Sequence, residues 1–398
     1  MMHPSEEIFC AHSNVLRGKT VVLGISGSIA AVECFALARD LIRHGAEVVP
    51  VMTPSAAEMV TPMAMEFACG RAPICSLGGQ AEHVSLICEG EEGADLLLIH
   101  PATANTVSKV ALGIDDNAVT SMATVALGAG TPVIMAPAMH NSMYRNPAVQ
   151  RNLEALRAMG VSLVGPVIED LRAKAAGRDE VLAAALRALG GKDLEGRRVL
   201  VIGGRGEEPV DDMRVLSNRS SGIMALELAL AAHRRGADVE MWMGAHDVRV
   251  PSYITMRRFG PFSELLAMLD GADHDIVLVP AALPDFSPER REGKIDSAAG
   301  GFDLRLHGLP KALPLLVREG RTVVGFKAES GADDDALAAK ARDRLLEHGL
   351  DLVVANDASV AGDGMARILL VSADAASVAE GSKGRIADVI LDRAAGRG

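Results

Sequence analysis

The stretch that decides the fold is residues 96–147, LLLIHPATANTVSKVALGIDDNAVTSMATVALGAGTPVIMAPAMHNSMYRNP. It predicts two apolar strands, at 96–100 and 132–137, separated by a segment with helical periodicity. Each strand runs into a polar, turn-rich segment, the first at 101–105 and the second at 137–143. Ligands of an open parallel sheet bind beyond the carboxyl ends of its strands. Both polar segments are therefore predicted to lie in a binding site.

The residues on either side of this stretch continue the alternation of strands and helices. Strands are predicted at 19–25, 47–52 and about 161–165, and a helix at 29–44 that stops at Gly45. The segment 167–178 is charged and shows neither a strand nor a helix period. An Ala-rich helix at 179–189 ends at Gly190-Gly191-Lys192. This alternation is typical of βαβ units, and we predict a domain boundary at Gly190.

The pattern begins again after the boundary with a strand at 199–202, a Gly-rich turn at 203–206 and a helix at 221–235. Further strands are predicted at 239–243, 275–280, 322–326, 351–355 and 368–372, and further helices at 262–269, 333–348 and 384–394. The sequence therefore predicts an α/β protein of two doubly wound, Rossmann-like domains, 18–190 and 191–398, after an extension at 1–17. The two halves show no convincing sequence repeat.

Composition excludes several classes of protein. The net charge of −12 leaves no broad basic face for nucleic acid. Five cysteines, all in the first quarter and none in a CxxC pair, favour a reducing compartment over a disulfide framework. The N-terminus is polar and acidic, unlike a signal peptide, and no run approaches the ~20 apolar residues of a membrane span. We expect a cytoplasmic protein without membrane or nucleic-acid partners.

A candidate phosphate site follows the first strand, where Gly24, Ser26, Gly27 and Ser28 open a helix. Free N–H groups at a helix start attract phosphate. The loop is not GxGxxG, and Thr53 ends the second strand where a dinucleotide site has an acidic residue. The pattern favours a mononucleotide such as flavin mononucleotide (FMN), although many ordinary βα turns also carry Gly and Ser.

Four motifs make this interpretation specific. They are Gly24-Ile-Ser-Gly-Ser-Ile-Ala-Ala31, Met52-Thr-Pro-Ser-Ala-Ala57, Pro101-Ala-Thr-Ala-Asn-Thr106 and Ala136-Pro-Ala-Met-His-Asn-Ser-Met-Tyr144. In this order they resemble the flavin-dependent decarboxylases of 4′-phosphopantothenoylcysteine, over residues 18 to about 190. The resemblance implies a flavodoxin-like domain that binds FMN. The implied cofactor residues are Gly24, Ser26, Gly27, Ser28, Thr53, Pro101, Ala102, Thr103, Asn105 and Met139.

The resemblance also implies catalytic residues. His83, in Glu82-His-Val-Ser-Leu86, resembles the histidine of the family's His-Ile-(Glu/Ser)-Leu motif, although a lone histidine is usually a surface residue. His140, followed by Asn141, stands where many bacterial members have the asparagine that holds the substrate carboxylate. In those members a cysteine in a later flap acts as the proton donor, and Lys174 stands in the matching region of this chain. Lys174 would then replace this cysteine, or it is only a solvated lysine of a linker; the two interpretations are given equal weight. This combination resembles archaeal members.

The second half resembles phosphopantothenate–cysteine ligases. Asp211-Asp-Met-Arg-Val-Leu-Ser-Asn-Arg-Ser-Ser-Gly222 is similar to their Ile-Asp-x-Val-Arg-x-Ile-Ser-Asn-x-Ser-Ser-Gly signature, which implies that Asn218 binds the activated acyl group. Asp285, in Ala281-Ala-Leu-Pro-Asp-Phe286, maps to the nucleotide site. Lys294 matches the first lysine of Lys-Ile-Lys-Lys, but Asp296 replaces the second, catalytic one, whose work then falls to Lys294 or Lys327.

The resemblance also implies a larger set of nucleotide-binding residues. Phe326 would pack on the base, and Lys340 and Arg344 share a helix face that could clamp a triphosphate, although a basic helix edge is often only solvated. The family's Gly-rich turn has a threonine that Gly206 replaces. The implied set is Gly204, Ser220, Ser221, Gly222, Ala281, Asp285, Lys294, Pro310, Lys311, Phe326, Lys340 and Arg344.

Together the two resemblances imply a bifunctional enzyme of coenzyme A biosynthesis. The C-terminal domain would join cysteine to 4′-phosphopantothenate with CTP, or ATP, and Mg²⁺, and the N-terminal domain would decarboxylate the product with FMN. The metal ligands are not defined; the acidic turn 211–212 and Asp285 are candidates. Trimers of the flavin domain joined by ligase dimers would give a homo-oligomer such as a dodecamer. Two alternatives stay open, a flavin-binding regulatory subunit with lost active sites and a flavin prenyltransferase-like protein, which leaves the ligase half unexplained.

Overall fold

The structure is a computed structural model that describes residues 3–87, 93–169, 172–296, 301–331, 333–357 and 365–396. The side chains of 167–169, 172–174 and 357 are outside this description. The chain forms two compact units, Met1–Gly190 and Gly191–Gly398, and each is described by itself. No helix in the described ranges is long and apolar enough to cross a membrane.

The N-terminal unit is built on a five-stranded parallel sheet with the order β2-β1-β3-β4-β5. Its strands are β1 (Thr20–Ile25), β2 (Glu47–Met52), β3 (Leu96–Ala102), β4 (Val133–Pro137) and β5 (Ser162–Leu163). The strands are almost continuously apolar because helices cover both faces of the sheet. The order is that of flavodoxin-like folds, in which the switch point between β1 and β3 is the usual ligand site.

Two layers of helices cover this sheet. They are α1 (Pro4–Glu7), a 3-10 helix (Ile29–Glu33), α2 (Cys34–Arg43), α3 (Pro54–Met59), α4 (Pro62–Cys69), α5 (Glu82–Ile87), α6 (Ala104–Leu112), α7 (Ala118–Ala129), α8 (Asn141–Tyr144), α9 (Pro147–Ala158) and α10 (Arg178–Leu189). One core cluster packs α2 and α10 against the sheet, and the other packs α6, α7 and α9 against its opposite face. The carboxyl edge of the sheet is left for the loops.

The charged segment after β5 contains two short antiparallel strands, β6 (Val167–Glu169) and β7 (Arg172–Lys174). The segment in which the sequence shows neither a strand nor a helix period therefore contains a hairpin. Three residues per strand are too few to show a period, so the hairpin could not be recognised from its pattern.

The C-terminal unit is built on an eight-stranded sheet with the order β12-β11-β8-β13-β16-β17-β18-β19. Its strands are β8 (Arg198–Gly203), β11 (Asp238–Met243), β12 (Thr255–Arg258), β13 (Ile276–Val279), β16 (Thr322–Glu329), β17 (Leu352–Asp357), β18 (Met365–Val371) and β19 (Ala376–Ser382). The first six are parallel in the classical Rossmann order, and β18 and β19 add an antiparallel edge. The predicted fold class of two doubly wound domains is confirmed.

Helices and two small hairpins complete this unit. The helices are α11 (Ile223–Arg234), α12 (Phe262–Leu269), α13 (Leu313–Leu316), α14 (Asp334–His348) and α15 (Lys383–Ala394), and the hairpins pair β9 (Glu207–Pro209) with β10 (Val215–Ser217) and β14 (Phe286–Pro288) with β15 (Leu306–Gly308). One core cluster lies under α11 and α15, and the other lies under α12, α13 and α14. As in the N-terminal unit, long loops follow the carboxyl ends of the strands.

Candidate functional site

In the N-terminal unit, each of the first four strands leads directly into a helix start at the same edge of the sheet. Each of these helices is capped by a side chain that accepts a hydrogen bond from a backbone N–H group of its first turn. The capping residues are Ser28, Thr53, Thr103 and His140, which we call the N-terminal cradle. Helix starts present free N–H groups, so this edge suits a phosphate-bearing ligand.

The cradle is closely packed where the loop after β1 meets α3. A Cβ atom on Gly27 would lie 2.4 Å from the Cβ atom of Ser55 and 3.0 Å from its carbonyl carbon. The Thr53 N–H group donates to the carbonyl oxygen of Ile25 at 3.0 Å, which fixes the two loops together. Glycine at position 27 therefore lets the backbone come close to α3, as a cofactor-binding turn requires.

Ser26 connects the two strands at the switch point instead of facing a ligand. Its side chain is buried, its hydroxyl donates to the Pro101 carbonyl at 2.7 Å, and it accepts from the Thr103 N–H group at 3.0 Å. Gly24 lies inside β1, where a Cβ atom would be 3.1 Å from Val119. Gly24 therefore allows core packing and Ser26 ties β1 to β3, and the cofactor-binding role of both residues stays a prediction.

The other predicted cofactor residues lie around the carboxyl ends of β3 and β4. Pro101 and Ala102 are the last, buried residues of β3, and Asn105 is exposed in the first turn of α6. The Ala138 N–H group donates to the Ala102 carbonyl at 2.9 Å, so the ends of β3 and β4 are joined. Met139 is half-buried and follows this contact. The structure thus brings these residues to one edge beside the cradle.

His140 has a defined orientation in this edge. Its Nδ1 atom accepts a hydrogen bond from the Ser142 N–H group at 3.2 Å, so in the neutral ring the proton is on Nε2. The ring is exposed, and Asn141 is the first residue of α8. Strand β7, which ends at Lys174, lies beside α8, but the side chain of Lys174 is outside the described part of the structure. His140 therefore offers a hydrogen-bond donor to an anionic group.

Two further histidines lie in the N-terminal unit, His83, which the sequence predicted as a catalytic residue, and His100, which it did not. His83 lies on the short helix α5, and its buried Nδ1 atom has no hydrogen-bond partner among the described residues. His100, which the sequence analysis missed, is buried in β3, and burial lowers its pKa to about 4. Within the described chain both of its ring nitrogens lack a partner, so it is neutral at pH 7. A histidine inside an apolar strand was the signal that could have singled it out.

The C-terminal unit contains a cavity of about 540 Å³ at the carboxyl edge of its sheet, which we call the C-terminal cavity. Seven residues singled out from the sequence for the nucleotide or the acyl group line it: Asn218, Ala281, Asp285, Pro310, Lys311, Phe326 and Arg344. Lys327 also lines it, as do Arg367 and Lys383 from β18 and α15. The cavity thus lies beyond the carboxyl ends of β13, β16 and β17, with more cations than carboxylates among its described lining residues.

The charges of this cavity are partly balanced by neighbouring carboxylates. The Lys311 ammonium lies 2.5 Å from Asp285, and Lys327 lies 2.8 Å from one oxygen of Glu329. Lys340 lies 2.8 Å from the other oxygen of Glu329. Hydrogen bonds from both lysines lower the pKa of Glu329 to about 2. The carboxylate is therefore a fixed negative charge beside a cavity that suits an anionic ligand.

The two residues of the predicted triphosphate clamp, Lys340 and Arg344, lie in different surroundings, and the clamp stays a prediction. Arg344 lines the cavity, and its buried Nε atom has no partner among the described residues. Lys340 is outside the described lining of the cavity and pairs with Glu329 from the neighbouring strand. Helical spacing predicted the shared face but not the carboxylate that holds one of the two side chains.

The segment with Lys294 is anchored by the acidic turn 211–212. The Asp211 carboxylate accepts from the Ile295 N–H group at 3.0 Å, and Asp212 accepts from the Gly293 N–H group at 3.1 Å. Burial alone would raise the pKa of Asp211, but the N–H groups of Ile295 and Met213 and the side chain of Arg214 outweigh it, and the pKa is about 2. Asp211 therefore anchors the segment 293–295 through its carboxylate. Lys294 itself is exposed and outside the described cavity lining.

No group of three or more His, Cys, Asp or Glu side chains with metal-binding geometry occurs in the described ranges. A magnesium ion carried by polyphosphate does not need such a group, since Mg²⁺ is often held by one or two carboxylates and the phosphates. Asp285 is the carboxylate that the cavity offers for this purpose.

The loop before α11 brings Asn218 to the cavity. The Nδ2 atom of Asn218 donates to the carbonyl oxygens of Ala282 and Leu283 at 3.2 and 3.3 Å. Ser220, Ser221 and Gly222 follow it, outside the described lining. Gly204, also outside this lining, accepts at its carbonyl from the Ala282 N–H group at 2.9 Å. The loop and the Gly-rich turn therefore meet at residue 282.

Gly206 explains the missing threonine. A Cβ atom at this position would lie 2.7 Å from the Cδ atom of Pro284, so a threonine does not fit without movement of that loop. Pro284 packs against position 206, so this chain has a glycine where the family has a threonine.

Comparison with known proteins relates both units to established families. The Flavoprotein family matches residues 10–189, and the family of DNA/pantothenate metabolism flavoprotein C-terminal domains matches residues 194–396. The structure is also similar to a DNA/pantothenate metabolism flavoprotein from Streptococcus pneumoniae, with 20% identity and a TM-score of 0.47, covering 50% of this chain and 98% of that one.

Full-length relatives carry both halves. The coenzyme A biosynthesis bifunctional protein CoaBC of Thermococcus kodakarensis is 40% identical over 94% of this chain and 94% of its own length. Its namesake from Methanocaldococcus jannaschii is 34% identical over 99% of this chain and 97% of its own, and that of Vibrio cholerae is 34% identical over 88% and 90%. The chain therefore belongs to the family of bifunctional coenzyme A biosynthesis proteins.

Proposed function

We propose that the chain catalyses two successive steps of coenzyme A biosynthesis. The C-terminal unit joins cysteine to 4′-phosphopantothenate, and the N-terminal unit decarboxylates the resulting 4′-phosphopantothenoylcysteine to 4′-phosphopantetheine. Membership of the family supports both activities. The observation that carries the residue assignments is the C-terminal cavity, which places Asn218, Lys311 and Lys327 around one space.

We assign the ligation to this cavity, with CTP as the nucleotide and Mg²⁺ on its phosphates. Lys311, Lys327 and Arg344 supply positive charge for the triphosphate, and Phe326 supplies an apolar face for the base. Asn218 lies at the wall where the activated acyl group would form. Fixed donors and cations stabilise charge that develops during acyl activation. Lys294 is assigned a catalytic role on the basis of its motif, and its segment is anchored to Asp211 at the start of the signature loop.

We assign the decarboxylation to the N-terminal cradle, whose close packing at Gly27 fits the binding of FMN. Ser28, Thr53 and Thr103 would hold the cofactor through their helix starts, and bound FMN supplies the electron acceptor for the cysteine side chain. His140 donates from Nε2 to the substrate carboxylate, and Asn141 lies beside it. His83 and Lys174 are assigned to proton transfer on the basis of their motifs.

We also propose that the protein is a cytoplasmic homo-oligomer. Large apolar side chains are exposed on the N-terminal unit, among them Ile29 at 76%, directly after Ser28, and Met63 on α4 at 78%. Exposed apolar surface of this kind commonly marks a protein interface. N-terminal trimers joined by C-terminal dimers are the arrangement that the family resemblance implies, and we propose it for this oligomer.

The decisive experiment is a coupled assay on the purified full-length protein. It contains 4′-phosphopantothenate, cysteine, Mg²⁺ and either CTP or ATP, and it follows pyrophosphate and carbon dioxide separately. Release of both with one nucleotide supports both assignments and identifies the nucleotide. Pyrophosphate without carbon dioxide contradicts the N-terminal assignment, and neither product from a flavin-loaded protein favours a regulatory role.

Two variants serve as mutual controls in this assay. Asn218→Ala should abolish pyrophosphate release and leave decarboxylation of supplied 4′-phosphopantothenoylcysteine intact. His140→Ala should lower decarboxylation about 10- to 100-fold and leave pyrophosphate release intact. Loss of the decarboxylation of supplied 4′-phosphopantothenoylcysteine in Asn218→Ala, or loss of pyrophosphate release in His140→Ala, would contradict the division of labour between the two sites.

A further inference from the structure

The side chain of Arg205 crosses from the Gly-rich turn to the loop that carries Asn218. Its Nη1 atom donates to the carbonyl oxygen of Ser220 at 2.6 Å, although the two residues are 15 positions apart. Arg205 is only 24% exposed and is outside the described lining of the C-terminal cavity. It therefore contacts the loop at a residue, Ser220, that is also outside the described lining.

The backbone of Arg205 is fixed on both sides. Its N–H group donates to the Ala245 carbonyl at 2.9 Å, and its carbonyl accepts from the Ala245 N–H group at 2.9 Å. A Cβ atom on Gly244 would lie 2.3 Å from the Arg205 carbonyl oxygen, so the two segments are in direct contact. The guanidinium thus projects from a rigid base, and its position defines the position of what it binds.

Asp247 completes this arrangement. Both of its carboxylate oxygens accept from Arg205 Nη1 at 3.3 Å, and its own N–H group donates to the Ser221 carbonyl at 3.0 Å. At the other end of the loop, the Ser217 hydroxyl donates to the Gly206 carbonyl at 2.7 Å. Asn218 therefore lies between two anchored points, and both anchors lead back to the Gly-rich turn.

We propose that Arg205 is a positioning residue for the ligation, which fixes the loop 217–222 so that Asn218 is held at the cavity wall. This inference rests on the proposed ligase function. A hydrogen bond from a charged guanidinium is about twice as strong as a neutral one, and Arg presents several donors in a planar fork. Small misplacement of a group that contacts the reacting atoms costs about 100-fold in rate, so the anchor affects catalysis without touching substrate.

The test compares Arg205→Met, Arg205→Ala and Arg205→Lys in the full-length protein, with Arg198→Met as the matched control. Arg198 pairs with Asp273 at the amino edge of the same sheet. We expect kcat for pyrophosphate release to fall about 10- to 100-fold in Arg205→Met, with the KM for the nucleotide within about twofold of wild type. Free guanidinium ion should restore part of the rate of Arg205→Ala. The control should behave as wild type, and Arg205→Lys should keep an intermediate rate.

A rise in nucleotide KM at constant kcat would overturn the proposal, since it would make Arg205 a direct phosphate ligand. Hydrogen exchange separates this proposal from the ligase function itself. If the wild-type protein releases no pyrophosphate, the ligase assignment fails, yet the amides of 217–222 should still exchange faster in Arg205→Met than in wild type. Unchanged exchange of the amides of 217–222 in Arg205→Met would overturn the positioning role, whether or not the protein has ligase activity.

Discussion

The Nζ atom of Lys311 lies 2.5 Å from a carboxylate oxygen of Asp285 in the lining of the C-terminal cavity. The two side chains are 50% and 66% exposed, and exposed ion pairs contribute only ~0–1 kcal/mol to stability. The pair is therefore of little use to the fold. It keeps a cation and a carboxylate in the positions where a polyphosphate and its metal would need them.

Replacement of Lys311 by Met should raise the KM for the nucleotide about tenfold or more and leave the melting temperature nearly unchanged. A hydrogen bond to a charged group is worth ~1.5–3 kcal/mol, which sets this factor. Steady-state pyrophosphate release measures it. Lys109→Met removes a similar pair with Asp116 in the N-terminal unit and should leave the KM unaltered; an equal rise in both variants would refute the assignment.

Gly27→Ala should reduce flavin binding and destabilise the N-terminal unit by ~1–3 kcal/mol, because the added methyl group overlaps Ser55. Flavin absorbance per protein chain and thermal unfolding measure the two effects. Gly128 in α7 faces open space, so Gly128→Ala is the matched control. It should retain flavin and gain up to ~1 kcal/mol from its higher helix propensity.

His140→Asn should retain most of the decarboxylation, whereas His140→Ala should lose it by about 10- to 100-fold. Asparagine can cap α8 and still donate a hydrogen bond, but alanine does neither. A hydrogen bond to a charged carboxylate is worth ~1.5–3 kcal/mol, and its loss corresponds to this 10- to 100-fold decrease in rate. Carbon dioxide release from supplied 4′-phosphopantothenoylcysteine is the measurement. Equal activities of the two variants would show that His140 does not contact the carboxylate.

Asp211 should make the C-terminal unit sensitive to acid. Its pKa is about 2 in the folded protein and ~3.9 in an unfolded chain, so the unfolded state binds the proton first. Its stabilisation is fully present above about pH 4 and is lost as the pH falls toward 2. Urea unfolding followed by Trp242, the one tryptophan, should show a weaker pH dependence in Asp211→Asn. Asp343→Asn, on an exposed face of α14, should keep the wild-type dependence.

The parallel strands were predictable because burial on both faces makes them continuously apolar. Strand β19 was missed because it alternates between exposed and half-buried residues at the edge of its sheet, so its sequence resembles a loop. The hairpin 167–174 was missed for its shortness. Local sequence patterns thus identify the buried strands and do not identify edge strands or short hairpins.

The candidate sites were predictable as sets of residues but not as contacts. Asp211 belongs to an acidic turn in the sequence, and only the fold brings the Ile295 N–H group, 84 positions away, to its carboxylate. Lys340 has the spacing of a phosphate clamp, yet Glu329 from β16 holds it. In each case the deciding partner comes from a distant segment, and no local spacing encodes its position.

Each of the four hydrophobic core clusters draws its members from one unit, two from Met1–Gly190 and two from Gly191–Gly398. A gene cut between the codons for Gly190 and Gly191 should therefore yield two polypeptides that each mature independently. Lineages that inherit this pair of enzymes are then free to keep them fused or to encode them at separate loci. Fusion has the further consequence that both units are made in equal numbers from a single message.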